Sequence, residues 1–114
     1  MKRLIVSADD FGLSKSINRG IIKGFKDGIV TSIHLMPAAS EFEDALAGAR
    51  QAGIKEVGAH LCLTGEVPVT NPGLIPTLVA NNGKLKGRGW IYLGLKFKEI
   101  NLQEIRLELK NQLE

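Results

Sequence analysis

RLIVSADDFGLSKSINRGIIKGFKDG, Arg3 to Gly28, is the stretch from which the fold is read. Residues 3–8 (RLIVSA) are short, partly β-branched and bounded by acids and Gly12, which predicts a strand. Its apolar residues come in succession, without alternation, so burial on both faces is expected, as in a parallel sheet. Asp9 and Asp10 end that strand as adjacent carboxylates. Ser14 offers an N-cap, and Ile17, Ile21 and Phe25 recur at helical spacing until Gly28 stops the run.

The same alternation continues downstream. IVTSIHLMP (29–37) predicts a second strand ended by Pro37. A second helix is expected from Phe42 to Ala52, with Ser40 as its cap, Gly53 as its stop, and Phe42, Ala45, Leu46, Ala49 and Ala52 as its apolar face. VGAHLCL (57–63) predicts a third strand, leaving through Thr64 and Gly65. Strand, helix, strand, helix, strand with short connections means two βαβ units and a parallel α/β sheet over residues 1–65.

After Gly65 that rhythm breaks. Residues 66–89 hold three of the four prolines and no clear period, so 66–100 is expected as a long loop or insertion. Within it, WIYLGLKFKEI (90–100) suits a short strand or a helical turn. Asn101 then caps a helix over 101–114 with Leu102, Ile105, Leu109 and Leu113 on one face. Three parallel strands leave two unpaired edges and no C-cap follows the last helix, so the chain is expected to be the first part of a larger α/β domain. Those edges favour self-association or a complementing C-terminal chain.

Composition narrows the class. The chain is 44% hydrophobic and 24% charged, with a formal charge of +3, too mild to imply nucleic acid. No window carries the apolar length of a membrane helix, and the run before Asp9 is shorter than a secretory signal core. The single Cys62 excludes an internal disulfide framework. A soluble, cytoplasmic protein is expected.

Ligands of parallel α/β sheets bind beyond the carboxyl ends of the strands. Those ends carry Asp9 and Asp10, His34 near the end of strand two, and His60 in strand three. Strand alternation puts Gly58, His60 and Cys62 on one face, directed to the region of the strand-one acids. Adjacent carboxylates repel unless a cation relieves them, and a His plus a carboxylate is a normal partial ligand set for a divalent ion. Such an ion would activate a bound water whose proton the second Asp could take. The competing reading is a solvated strand-end turn beside a hydrogen-bonded core histidine, and spacing alone leaves both open. A third arrangement, the receiver domain of two-component signalling, needs a phospho-accepting Asp at the end of strand three. HLCLTG has none.

SADDFGLSKSINRGI, GIVTSIHLMP and VGAHLCLTGEVPV, in this order and spacing, resemble the YdjC-like family of carbohydrate and chitooligosaccharide deacetylases. The resemblance spans residues 3 to about 69. It implies a distorted, TIM-like (β/α) barrel, of which this chain would be the N-terminal part. It also implies a metal-dependent hydrolase that removes N-acetyl groups from amino-sugar oligosaccharides. Carried over by position, Asp10 and His60 are metal ligands, Asp9 is the general base, and Phe11 and Gly12 shape the turn presenting both acids. The ion would be Mg2+ first, with Zn2+ or Mn2+ as alternatives. His34, Thr64 and Glu66 are candidates for supporting or substrate contacts, whereas Cys62 is expected as a small core residue. Family members carry a further His ligand in a histidine-rich segment that this chain lacks, so the chain alone is expected to be inactive. The alternative is a non-catalytic, partner-binding or self-associating α/β module with a vestigial metal site.

Overall fold

The computed structural model describes residues 2–114, which divide into two compact units, the first ending at His60 and the second being Leu61–Glu114. The first unit carries β1 (Ser7–Phe11), α1 (Lys15–Asp27), β2 (Ser32–Leu35), α2 (Phe42–Gln51) and β3 (Gly58–Ala59). The strands form a parallel sheet in the order β1-β2-β3, which is the βαβαβ arrangement read from the sequence.

α1 begins and ends where local chemistry says it should. The Ser14 hydroxyl accepts the Ile17 N–H and Gly28 follows the last turn. α2 differs from expectation at its start: its N-cap is Glu41, not Ser40, and no side chain caps it. The Glu41 N–H instead donates to the Gly12 carbonyl at 2.8 Å, so the loop after β1 fixes the entry of α2.

The strands are shorter than expected, and β1 starts later. Ladder pairing begins at Ser7, and Leu4 and Ile5 are 78% and 77% exposed, so the expectation of burial on both faces is corrected. The sheet is two-sided in character. Ile33 and Leu35 of β2 join Phe11, Ile21, Ala45 and Ala49 in one core under the helices, while Ser32 and His34 alternate to the opposite face. Phe25, expected on the apolar face of α1, is exposed. β3 has only two residues, although the His60 N–H still donates to the Leu35 carbonyl and extends its register.

The second unit holds a 3-10 turn (Pro72–Leu74), α3 (Arg88–Lys96) and α4 (Leu102–Asn111). The apolar WIYLGLKFKEI segment is thus mostly helical, not a strand. An antiparallel bridge joins Val79 to Leu85, and Ile75, Leu78, Leu85 and Ile100 form this unit's core. Asn101 caps α4 as expected, its side chain accepting the Gln103 N–H.

The face of α4 is not the expected one. Leu102 and Leu113 are exposed, whereas Glu104, Glu108 and Gln112 are buried. The reason is hydrogen bonding. Glu108 accepts the Val69 and Thr70 N–H groups, Glu104 accepts the N–H and hydroxyl of Thr77, and Gln112 pairs with both backbone groups of Cys62. These loop amides have no strand to bond to, and the helix supplies the acceptors instead. No helix among the described residues is long and apolar enough to cross a membrane.

Candidate active site at the carboxyl end of the sheet

Two adjacent residues of a regular strand point to opposite faces, so Asp9 and Asp10 could not act together on one side. A bulge removes that constraint. Ala8 pairs with Ile33 and Phe11 with Leu35, so three steps along β1 match two along β2. The extra residue is taken up at Asp10, whose φ is 62°. Aspartate tolerates this left-handed conformation better than most residues. Gly12 follows at φ 110°, where an added Cβ would lie 3.2 Å from the Ala39 side chain. Buried Asn18 braces the turn: its Oδ1 accepts the Gly12 N–H at 2.8 Å, and its Nδ2 donates to Asp44 at 2.9 Å. The reading of the sequence passed over Asn18, although a polar residue beside Ile17 and Ile21 on the inward side of a helix was the available signal.

Each acid meets one histidine. His34 Nδ1 lies 2.6 Å from Asp9 Oδ1. An ionised carboxylate only accepts, so this nitrogen carries the proton and donates. The other ring nitrogen, Nε2, is 3.1 Å from Ser32 Oγ, so both ring nitrogens of His34 are engaged. The hydrogen bond from His34 is the largest influence on the Asp9 carboxyl and holds it below the usual carboxylate range, against burial, which pushes it up.

His60 is in the opposite state at the same atom. Its Nδ1 accepts the Asp10 N–H at 3.1 Å and therefore carries no proton. The Asp10 carboxylate Oδ1 lies 3.5 Å from it. Two acceptors face one another there. Ligands held at about 2.1 Å by one tetrahedral ion stand about 3.4 Å apart, so the spacing suits a shared divalent cation once the Nδ1 lone pair is released from the Asp10 N–H. Asp10 and His60 are two donors; among the described residues no group of three His, Cys, Asp or Glu converges.

The remaining sequence candidates lie in the second unit. Thr64 offers its carbonyl to Cys62 Sγ at 3.0 Å, and the Glu66 carbonyl accepts the Leu85 N–H at 2.8 Å. Cys62 is outside any strand, held through its backbone by Gln112.

Gly58 sits beneath His34. A Cβ at this position would run into the imidazole, with Nε2 only 3.0 Å away and Cδ2 closer still. Gly58→Ala is therefore expected to displace the ring from Ser32 and Asp9 and to cost about 1–3 kcal/mol. Urea unfolding measures the cost, and unchanged ring shifts of His34 in NMR spectra would contradict the displacement.

Comparisons with known proteins identify the family. The family model described as "YdjC-like protein" matches residues 3–114. The chain belongs to the YdjC-like family. A carbohydrate deacetylase of Clostridium beijerinckii is 41% identical over 112 residues, covering 98% of this chain and 43% of the relative. A chitooligosaccharide deacetylase of Serratia marcescens is 39% identical over 111 residues, covering 97% of this chain and 42% of the relative. A crystal structure from Enterococcus faecalis, of a protein provisionally described as cleaving cellobiose-phosphate, superposes with a TM-score of 0.81 at 31% identity. It covers 95% of this chain and 41% of that one. The YdjC-like chain thus spans about two fifths of the length of the curated relatives it matches.

Proposed function

We propose that this YdjC-like chain carries the base and part of the metal centre of a carbohydrate N-deacetylase, its sheet forming the opening strands of a (β/α) barrel. The observation that carries the reading is the split between the two acids. Asp9 is satisfied by a donor, and Asp10 faces the unprotonated Nδ1 of His60 at 3.5 Å. The names of the relatives supply the substrate class, an acetylated amino sugar.

Asp10 and His60 would hold a divalent cation, for which carboxylate plus imidazole suits Mg2+, Mn2+ and Zn2+. When bound, such an ion supplies Lewis acidity to an amide carbonyl and to water. Asp9, kept ionised by His34, takes a proton from the attacking water. The proton taken by Asp9 passes to the amide nitrogen as the C–N bond breaks, and acetate and the free amine leave.

Two protein donors hold a cation weakly, so the 114-residue chain by itself is proposed to be catalytically silent until another chain or copy adds a donor. Release of acetate from diacetylchitobiose by this chain alone, at enzyme-like rates, would overturn that clause.

The metal centre is tested by thermal unfolding with Zn2+, Mn2+ or Mg2+. A cation at a hundredfold its Kd is expected to stabilise the chain by about 2.7 kcal/mol. Asp10→Ala and His60→Ala should each remove the shift. A shift that survives both substitutions, or none in the unaltered chain, rules the centre out.

A further inference from the structure

Asp9 and Asp10 are neighbours on a bulge, and both are directed to the side of the sheet that bears His34 and His60. A cation attracted by Asp10 and His60 would ordinarily draw in the second carboxylate as well. A carboxylate that ligates the cation keeps lone pairs but loses basicity to the ion's positive charge, and so accepts a proton poorly. Something must keep Asp9 out of the coordination sphere if it is to act as a base.

We infer that His34 is a positioning residue that anchors the Asp9 carboxylate and withholds it from the cation, an inference that rests on the metal centre proposed above. Three features build the anchor. The Nδ1–H donates to Asp9 Oδ1 at 2.6 Å, which is short, as charge-assisted hydrogen bonds are. Ser32 Oγ, 3.1 Å from Nε2, engages the other nitrogen, while the Asp9 carboxylate, which only accepts, places the proton on Nδ1. Gly58 leaves the space that the His34 ring occupies. Ser32 and His34 stand two apart on β2, so strand alternation puts both on the same face, opposite the core residues Ile33 and Leu35.

With both of its nitrogens engaged, His34 is not itself free to ligate. Its effect is on the neighbour of a ligand, and a role of that kind is read in cation affinity, which a general loss of packing would lower in every variant alike.

The test uses the 114-residue chain and Mn2+ or Zn2+ in calorimetric titration. Asp9→Asn is expected to leave cation affinity within about twofold, while Asp10→Asn abolishes it. His34→Ala is expected to raise affinity roughly tenfold by releasing Asp9 as a further ligand, opposite in sign to the loss of about 10–100-fold that follows when the partner of a true ligand is removed. That gain should vanish in the His34→Ala, Asp9→Asn double variant. His34→Asn, which keeps an N–H donor near the Nδ1 position, should behave as the parent even if the alanine variant folds poorly. Nitrogen-15 shifts of the His34 ring in the cation-free chain should show Nδ1 protonated.

A chain that binds no cation overturns the metal centre, and the withholding role with it. A chain that binds one, but in which Asp9→Asn is as damaging as Asp10→Asn or His34→Ala changes nothing, overturns the withholding role alone.

Discussion

Glu108→Ala is expected to destabilise the Leu61–Glu114 unit by about 3–5 kcal/mol. Glu108 has no exposed surface, and its carboxylate accepts three donors: the Val69 N–H at 3.0 Å, the Thr70 N–H at 2.9 Å and the Gln112 amide at 2.6 Å. Truncation removes all three bonds and strands the Thr70 N–H in the interior. Burial pushes the Glu108 carboxyl up, but the hydrogen bonds from Thr70, Gln112 and Val69 together outweigh it and hold the group below its ordinary 4.5. A carboxyl lowered by folding stabilises the protein fully above its unfolded pKa, and that stability is lost as pH falls through the folded value. Urea midpoints of the unaltered chain should therefore hold steady above pH 4.5 and decline below it. In Glu108→Gln the midpoint should be lower at neutral pH, since an amide places a donor against a donor, and flatter across the acid range. A variant as stable as the parent would mean that the loop over 69–77 does not depend on α4.

What the sequence made legible was whatever depended on near neighbours. Ser14 and Gly28 bracket α1 because a cap acts within one turn, and Asn101 marks the start of α4 for the same reason. The alternation that set Ser32 and His34 opposite Ile33 and Leu35 was equally local. The face of α4 was not. Leu102, Ile105, Leu109 and Leu113 read as the buried face, since carboxylates such as Glu104 and Glu108 rarely lie inside unpartnered. Their partners are amides some thirty to forty residues away, in a loop whose need for acceptors no helical period announces. The acids were legible as a pair and His60 as facing them, and the family resemblance implied separate roles for them. The contacts that distinguish the two acids were not legible, because they depend on a bulge that turns Asp10 out of register and on which nitrogen of each ring holds the proton, and both are set by contacts across the sheet.

Phe11→Ala is expected to cost about 3–5 kcal/mol in the first unit, and to weaken the response to a divalent cation as well. Phe11 is the far end of the bulge. Its side chain is 0% exposed, packed with Ile21, Ile33, Leu35, Ala45 and Ala49, and its carbonyl accepts the Met36 N–H at 2.8 Å. The residue before it, Asp10, sits at φ 62°, a conformation that costs a non-glycine residue on the order of 1–2 kcal/mol. That cost has to be met by the surroundings, and the burial of Phe11 on one side and the Asn18 bond to Gly12 on the other are what hold the turn. Asp10→Gly separates the two effects. Glycine adopts positive φ freely, so this variant should keep the parent's stability within about 1 kcal/mol while losing the cation response entirely. Urea unfolding paired with Mn2+ titration on both variants reads the difference. Phe11→Ala with full stability, or with an undiminished cation response, would show that the core under α1 and α2 does not hold the acids in place, and that the bulge is set by the sheet edge alone.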